Sequence, residues 1–333
     1  MDEVFLRSRL FVLFLVISIS VVAQPAGDVS MLTDGKLHVI VCGSGSPLPD
    51  PERAGACVAV VAGQQVILID SGSGSWRKAT IAKVPGQALS AVLLTHFHSD
   101  HIGDLGEAMT MSWTNGRAAP LDVYGPPGVE RIVHGFAEAY ELDGQYRVHH
   151  HGEAVVPAKA HGMVAHVIDV PGAEERKLVF QKNGLSAYAF LVDHRPIAPA
   201  YGYRIEYRGR IVVVSGDTSY SENLVRHSTG ADLLLHDAML KNFITMAANS
   251  MAKAQPRTAG MLRDILTYHA SAEDAAKAAE AAHVETLVLT HLVPVPGAVG
   301  GEKAFIQGAG DAFKGKLLVA HDGMRFDFDP KSE

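Results

Sequence analysis

The strongest constraint on how this chain folds is a group of histidine and aspartate residues directly after an apolar run. Residues 91–94 are fully apolar, as expected for a strand that is buried on both faces. His96 and His98 follow and point the same way in an extended chain, so both imidazoles can bind one metal ion. Asp100 and His101 come where the chain turns toward a helix and can bind a second ion. The alternative is that these are isolated surface histidines. That interpretation does not readily explain why three histidines and an aspartate occur within six residues.

The ligand types indicate which metals fit this segment. Imidazole and carboxylate without thiolate suit zinc, and manganese, iron or cobalt are possible. The sequence therefore predicts a site for two divalent ions, most simply two Zn²⁺.

Length and composition limit the size of the fold and the class of partner. The chain has 333 residues, 47% of them hydrophobic, which is enough for one large core or at most two domains. No linker, repeat or low-complexity stretch divides it, so we expect one domain over residues 27–333. The formal net charge is −7. This net charge argues against general binding of polyanions. A nucleic-acid substrate would need a local basic patch on the surface.

The N-terminus has the layout of a secretory signal peptide. Arg7 and Arg9 precede the apolar residues 10–17, and small residues lead up to Ala23, where we expect cleavage. Residues 1–23 are therefore predicted to be a signal peptide, with the mature protein periplasmic or secreted and without stable membrane association. An uncleaved anchor is the main alternative, although the run is short for a membrane span.

Cysteine usage leaves two possibilities open. Cys42 and Cys57 are the two cysteines of the chain. They could pair in an oxidising compartment or remain separate buried thiols, and their spacing is not that of a zinc-thiolate site.

Strand-like and helix-like patterns alternate along the chain and predict mixed sheets. The predicted strands are residues 37–42, 57–61, 66–70, 91–94, 121–124, 187–192, 203–207, 211–215, 233–236, 286–290, 316–320 and 324–328. The clearest helical patterns are residues 129–141, 219–227, 258–268 and 271–283, the last with a capping-box-like start. This order suggests two mixed sheets packed together with helices outside.

Two further segments are open to interpretation. Residues 241–260 are less regular and could form a lid or a surface insertion. Residues 149–151 are three successive histidines near Arg147 that could line a pocket mouth, but a solvated loop is the favoured interpretation.

The histidine-rich segment also carries a family resemblance. Residues 95–105 resemble the signature of the metallo-β-lactamase superfamily. Further stretches resemble its ribonuclease Z and arylsulfatase-like branch, in the family's order: residues 43–47 with Arg53, 68–72, 194–204, 216–218 and 287–291. The resemblance covers nearly the whole mature chain. It implies an α+β fold, an αββα sandwich of two mixed sheets packed face to face, with the metals at one edge.

The resemblance also implies a complete ligand set. One metal is expected to bind His96, His98 and His194, and the other Asp100, His101 and His291, with Asp217 bridging both. Taken alone, His194, Asp217 and His291 could be a loop residue, a turn residue and a core residue. Each lies at a predicted strand end, however, where a site at a sheet edge needs ligands. Asp70 is expected to hold a ligand histidine from behind.

The catalytic residues implied by the resemblance are Asp100, His269 and Asp237. A metal-bridging hydroxide is the expected nucleophile, between ions about 3.5–4 Å apart. His269 is expected to protonate the leaving group while the Asp237 carboxylate orients it. The branch carries a glutamate at the position of Asp237, and a helix cap is an equally plausible role for this shorter side chain.

The expected substrate follows from three features that argue against RNA. These are the signal peptide, the acidic balance and the short connection between Arg204 and Gly216, where the RNA enzymes of the branch carry a long arm. The sequence therefore favours a small sulfate or phosphodiester as substrate, with nucleic acid unlikely as a partner. The alternatives are a ribonuclease Z-like endonuclease of tRNA 3′ processing, a lactone or thioester hydrolase, and a non-enzymatic zinc-binding protein. A homodimer is expected by resemblance.

Overall fold

The computed structural model describes residues 27–169 and 172–331. The predicted signal peptide lies outside the described residues, so export and cleavage after Ala23 stay predictions. Within the described ranges, no helix is both long and apolar enough to cross a membrane.

The described strands form two sheets of seven strands each. The first sheet has the order β14-β1-β2-β3-β4-β5-β6 and contains β1 (Leu37–Gly43), β2 (Cys57–Ala62), β3 (Gln65–Ile69), β4 (Leu89–Leu93), β5 (Leu121–Gly125), β6 (Met163–Val167) and β14 (Arg325–Phe328). The second has the order β13-β12-β11-β10-β9-β8-β7 and contains β7 (Arg176–Lys182), β8 (Leu185–Val192), β9 (Ala200–Tyr207), β10 (Arg210–Val214), β11 (Leu233–Met239), β12 (Thr286–Val293) and β13 (Lys316–Val319). Both sheets combine antiparallel and parallel pairs.

Helices follow many of the strands. In the described residues they are α1 (Ser75–Ile81), α2 (Ser99–Ile102), α3 (Leu105–Thr114), α4 (Val129–Ala139), α5 (Glu141–His151), α6 (Glu222–Ser228), α7 (Lys241–Met251), α8 (Pro256–Ile265), α9 (Ala272–Ala281), α10 (Lys303–Ile306) and α11 (Ala309–Ala312). The capping box predicted for α9 is confirmed, because Ser271 and Asp274 each accept a hydrogen bond from the other's backbone N–H.

The two sheets share one apolar core. Val39 and Ile67 of the first sheet are buried in the same cluster as Tyr203 and Val212 of the second. The opposite faces are covered by helices, as where Trp76 of α1 packs in the cluster that lies outside the first sheet. Side chains of successive strand residues therefore alternate between the shared core and a helical layer. This confirms the predicted αββα sandwich.

Differences from the predicted elements concern exposed segments. β6 and β7 were not predicted. Both are edge strands that are only partly buried, and β7 carries four polar or charged residues among its seven. Residues 149–151 end the helix α5 and are exposed to solvent as expected, but they are not in a loop. Residues 241–260 are mostly helical in α7 and α8, because the buried Ile244 and Ala248 give α7 an apolar face.

Cys42 and Cys57 form a disulfide between β1 and β2, with Cα atoms 5.0 Å apart. Of the two possibilities that the sequence left open, a disulfide or two separate thiols, the structure contains the disulfide. The bond closes a loop across a separation of 15 residues and lies buried below the metal-facing edge.

The disulfide is expected to contribute measurably to stability. Replacing both cysteines with alanine should lower the free energy of unfolding by about 3 kcal/mol. Closing a loop of about 15 residues lowers the entropy of the unfolded chain, and this destabilises the unfolded state by about that amount. Denaturant unfolding of oxidised wild type and double variant measures the difference. The reduced wild type is the matched control, and equal stability of its oxidised and reduced forms would contradict the prediction.

Candidate metal centre

Four of the seven predicted ligands lie a few residues beyond strand ends along one edge of the sandwich, and two more lie in the short helix that follows β4. The segment with His96 and His98 follows β4 and leads into α2, which carries Asp100 and His101. His194 follows β8 and Asp217 follows β10. His291, the seventh, lies within β12, close to its C-terminal end.

The structure brings all seven side chains together. Ligand atoms of His96, His98, His194 and Asp217 lie within 4.8 Å of one another, and those of Asp100, His101 and His291 form a second such group. The carboxylate of Asp217 lies between the two groups. One of its oxygens is 3.3 Å from Nε2 of His101 and 3.8 Å from Nε2 of His96, and the other is 3.4 Å from Nε2 of His291. This is the arrangement that two ions sharing a carboxylate require.

Unpartnered buried atoms test whether metals fit here. Nδ1 of His194 bonds the carbonyl oxygen of Tyr268 at 3.1 Å, while its buried Nε2 has no hydrogen-bond partner among the described residues. Nε2 of His101 and Oδ1 of Asp217 are likewise buried without such a partner in the described chain. Buried polar atoms without partners are costly. Since these atoms face one another across the two groups, the donor set fits divalent metal ions, and the chain is a metal-binding protein.

Unusual backbone geometry holds two of the ligands. His291 has φ +48° and lies at an irregularity in the β11–β12 ladder, where Asp237 pairs with Thr290 but Ala238 pairs with Leu292. The extra residue turns His291 out of the regular alternation toward the site. Gly216, directly before Asp217, has φ +63°, and a Cβ atom there would lie 2.8 Å from the carbonyl oxygen of Tyr201.

The electrostatics keep several ligands in the protonation state that metals bind. Burial lowers the pKa of His96 and His194, which favours neutral imidazole. Burial alone would raise the pKa of Asp217, but His291 and His101 outweigh it and hold the pKa well below its usual value. Burial would lower the pKa of His101, but the carboxylates of Asp217 and Asp70 raise it instead. A proton therefore competes with a metal ion for His101.

Asp70 supports the site from behind, in the position predicted for it. One carboxylate oxygen lies 2.8 Å from Nδ1 of His101 and also accepts a hydrogen bond from the hydroxyl of Thr95. The other accepts from the backbone N–H of Thr95 at 2.8 Å. Asp70 thereby orients the His101 ring, and its bond to Nδ1 leaves Nε2 facing the metals. The sequence did not indicate the contribution of Thr95.

Replacing Asp70 with asparagine is expected to weaken metal binding at the His101 site about 10- to 100-fold. Loss of a carboxylate that orients a ligand histidine has this effect in other metal sites. Competition with a chromogenic chelator measures the affinity. Asp104→Asn is a suitable control, because this carboxylate bonds the backbone N–H of Trp76 near the same loop and touches no ligand. Equal affinities of wild type and Asp70→Asn would contradict the role.

His269 and Asp237 lie together beside the ligands. Nδ1 of His269 is 3.0 Å from an oxygen of Asp237, and the His269 ring stacks on His291 with centroids 5.3 Å apart. Asp237 lies on β11 and not at a helix start, so the helix-cap interpretation is wrong. Although aspartate is shorter than the glutamate of the branch, the strand brings it within reach.

A further histidine completes this pair and was missed from the sequence. Nδ1 of the buried His236 lies 2.8 Å from the backbone carbonyl oxygen of Asp237, which accepts its hydrogen bond, and 3.1 Å from the second carboxylate oxygen of Asp237. Burial would raise the pKa of Asp237, but its hydrogen bonds with His236 and His269 lower it. Adjacency of His236 to Asp237 was the only sequence signal, and neighbours in a strand ordinarily point apart.

Comparisons with known proteins place this site in a family. The family model of the beta-lactamase superfamily domain matches residues 65–292. A ribonuclease Z of Mycobacterium bovis is 37% identical over 298 residues, which cover 89% of this chain and 99% of that enzyme. A ribonuclease Z of Mycolicibacterium paratuberculosis is 36% identical over 299 residues, 89% of this chain and 100% of the relative. Among solved structures, the short form of human tRNase Z superposes with a TM-score of 0.62 at 21% identity, covering 88% of this chain and 99% of that one.

The fold and the site define a metal-dependent hydrolase that acts on ester bonds. The chain belongs to the ribonuclease Z branch of the metallo-β-lactamase superfamily, since its relatives match it along nearly their whole length. The predicted family, fold and enzyme class are thereby confirmed, and the alternative of a non-enzymatic zinc-binding protein is excluded.

The relatives overturn the expected substrate. The prediction of a small sulfate or phosphodiester, with nucleic acid unlikely, is wrong, because the relatives at 35–37% identity are named ribonuclease Z. The predicted short hairpin between β9 and β10 is present. The hairpin does not outweigh the match to a relative named ribonuclease Z, of which the alignment covers 99%. The findings favour the ribonuclease Z-like alternative.

Proposed function

We propose that this protein is an endoribonuclease that removes the 3′ extension of precursor tRNA, with two zinc ions held by the seven ligands described above. What supports this proposal is that a full dinuclear ligand set and the His269–Asp237 pair occur in a chain matching ribonuclease Z along nearly all of that enzyme. Zinc is the first choice of metal because the donors are imidazoles and carboxylates without thiolate.

The residues of the site divide the reaction between them. When bound, two divalent ions lower the pKa of a water molecule and polarise the phosphodiester. Asp217 and the ligand histidines hold the ions at the sheet edge, with His98 at the exposed rim. His269 donates a proton to the departing ribose oxygen, and Asp237 keeps its ring oriented through the bond to Nδ1. An oxygen of Asp100 and Nε2 of His291 lie 3.1 Å apart, and both would bind the same ion.

The test uses the full chain loaded with zinc and a precursor tRNA transcript carrying a 3′ extension. We expect cleavage at a single position after the acceptor stem, loss of cleavage with a chelator, and recovery with added zinc. An unstructured RNA of the same length is the control substrate. Turnover of a model diester without cleavage of the precursor would overturn the proposal.

A further inference from the structure

The helical hairpin over residues 241–266, the α7–α8 hairpin, has a charge unlike the rest of the molecule. It carries four basic residues and one acidic residue, a net charge of +3. The whole chain has a formal net charge of −7, so the remaining residues together carry −10. A polyanionic substrate needs a local basic patch on such a protein.

Three of the hairpin's cations are available to a partner. Lys253, Arg257 and Arg263 are exposed, and no carboxylate of the described chain forms an ion pair with them. Lys241 differs, because its ammonium group lies 3.2 Å from the carboxylate of Asp274. Lys253 and Arg257 flank the turn between the two helices, and Arg263 lies near the end of α8. The free charge therefore extends from the hairpin tip toward its base.

The base of the hairpin is anchored beside the metal centre. The buried Ile244 packs with Met239, at the end of β11, and with Val293, at the end of β12. At the other end, α8 leads within four residues to His269. The carbonyl of Tyr268 accepts the hydrogen bond from the ligand His194. Both ends of the hairpin are therefore joined to residues at the metal centre, so an RNA strand that contacts the hairpin would lie close to His269.

We propose that the α7–α8 hairpin is the docking element for the RNA substrate and that Lys253, Arg257 and Arg263 bind its phosphates. This inference rests on the proposed function and adds the surface that holds the substrate outside the metal site. A groove of about 820 Å³ beside the first half of α7 is less suited, because Glu273 and Asp274 line it together with Lys241. The proposed docking surface is therefore formed by the exposed side chains of Lys253, Arg257 and Arg263 along the hairpin.

The test compares two triple variants that each remove three charges. The first is Lys253→Gln, Arg257→Gln and Arg263→Gln. The matched control is Lys83→Gln, Lys182→Gln and Lys316→Gln, whose side chains are exposed, form no ion pair within the described ranges, and lie toward the opposite edge of the sandwich. Binding of the zinc-loaded full chain to the 3′-extended precursor tRNA is measured between about 50 and 200 mM salt.

The hairpin variant is expected to bind the precursor tRNA at least about tenfold more weakly near 100 mM salt. The slope of log affinity against log salt should fall by about two to three, since each phosphate contact contributes about 0.7 to 0.9. Hydrolysis of a model diester should be unchanged, which shows that the metal site is intact, and the control should bind as wild type does.

Other outcomes separate the two proposals. Equal RNA affinity of hairpin variant and control, with precursor cleavage intact in wild type, would overturn the docking role but leave the proposed function standing. No RNA binding or cleavage by wild type would overturn both. Loss of binding to anionic lipid vesicles, with RNA affinity unchanged, would make the hairpin a lipid-binding element and also overturn the docking role.

Discussion

Replacing Asp217 with asparagine is expected to reduce RNA cleavage at least about 10³-fold and to release bound metal. Asp217 is buried, and its carboxylate oxygens lie 3.3 to 3.8 Å from ligand nitrogens of both metal groups, so its charge is shared by the two groups. Metal ions supply several kcal/mol of transition-state stabilisation in such sites, and each 1.36 kcal/mol corresponds to a factor of ten in rate. Cleavage rates and metal content by elemental analysis measure the two effects together.

The control for this prediction is another buried aspartate. Asp232 is also buried, but its carboxylate pairs with Arg210 and Lys331 at the start of β11, away from the ligands. Asp232→Asn should lower stability while retaining two metals per chain. If Asp217→Asn kept two tightly bound metals and wild-type cleavage, Asp217 would not be the shared ligand.

Replacing His269 with alanine is expected to lower turnover about 10²- to 10⁴-fold while both metals stay bound. General acid catalysis contributes a factor of this size. Asp237→Asn should lower turnover less, because the imidazole of His269 remains. Only the carboxylate that orients the ring and stabilises its protonated form is lost. Single-turnover cleavage and metal content are the two measurements.

The metal content decides between two roles of His269. A ligand atom of His269 also lies within 4.8 Å of ligand atoms of Asp217 and His291, so these three side chains form another group that could hold a metal. If the alanine variant lost one metal, His269 would be a structural ligand and not a proton donor. Retention of both metals with unchanged turnover would contradict both roles.

One ground for the expected substrate was the net charge, which describes the whole surface although a substrate contacts only part of it. The overall −7 pointed away from a polyanion, yet the α7–α8 hairpin, whose base packs against the ends of β11 and β12, carries a net charge of +3. Residues 241–260 stood out in the sequence only as irregular. Lys253 and Arg257 lie close to the turn between α7 and α8, and the packing of these two helices decides where the turn is.

The sequence by itself determined the metal site and the fold class. His96 to His101 after a buried strand predicted the first ligands, since alternation along an extended chain places His96 and His98 on one side. Apolar strands separated by helices predicted the mixed sheets, because buried strands and amphipathic helices each have a residue pattern that reflects their neighbours. Each of these features depends on residues that are close together in the sequence. Residue type and spacing are therefore enough to predict them.

Only the tertiary structure decided which distant groups meet. The bond of Asp237 to His269, the support of Asp237 by His236 and the disulfide between Cys42 and Cys57 join residues whose directions depend on register and packing. The outward turn of His291 likewise depends on an irregularity between β11 and β12. A slip of one residue in a strand reverses the face of every side chain, and the sequence pattern does not report register at this accuracy.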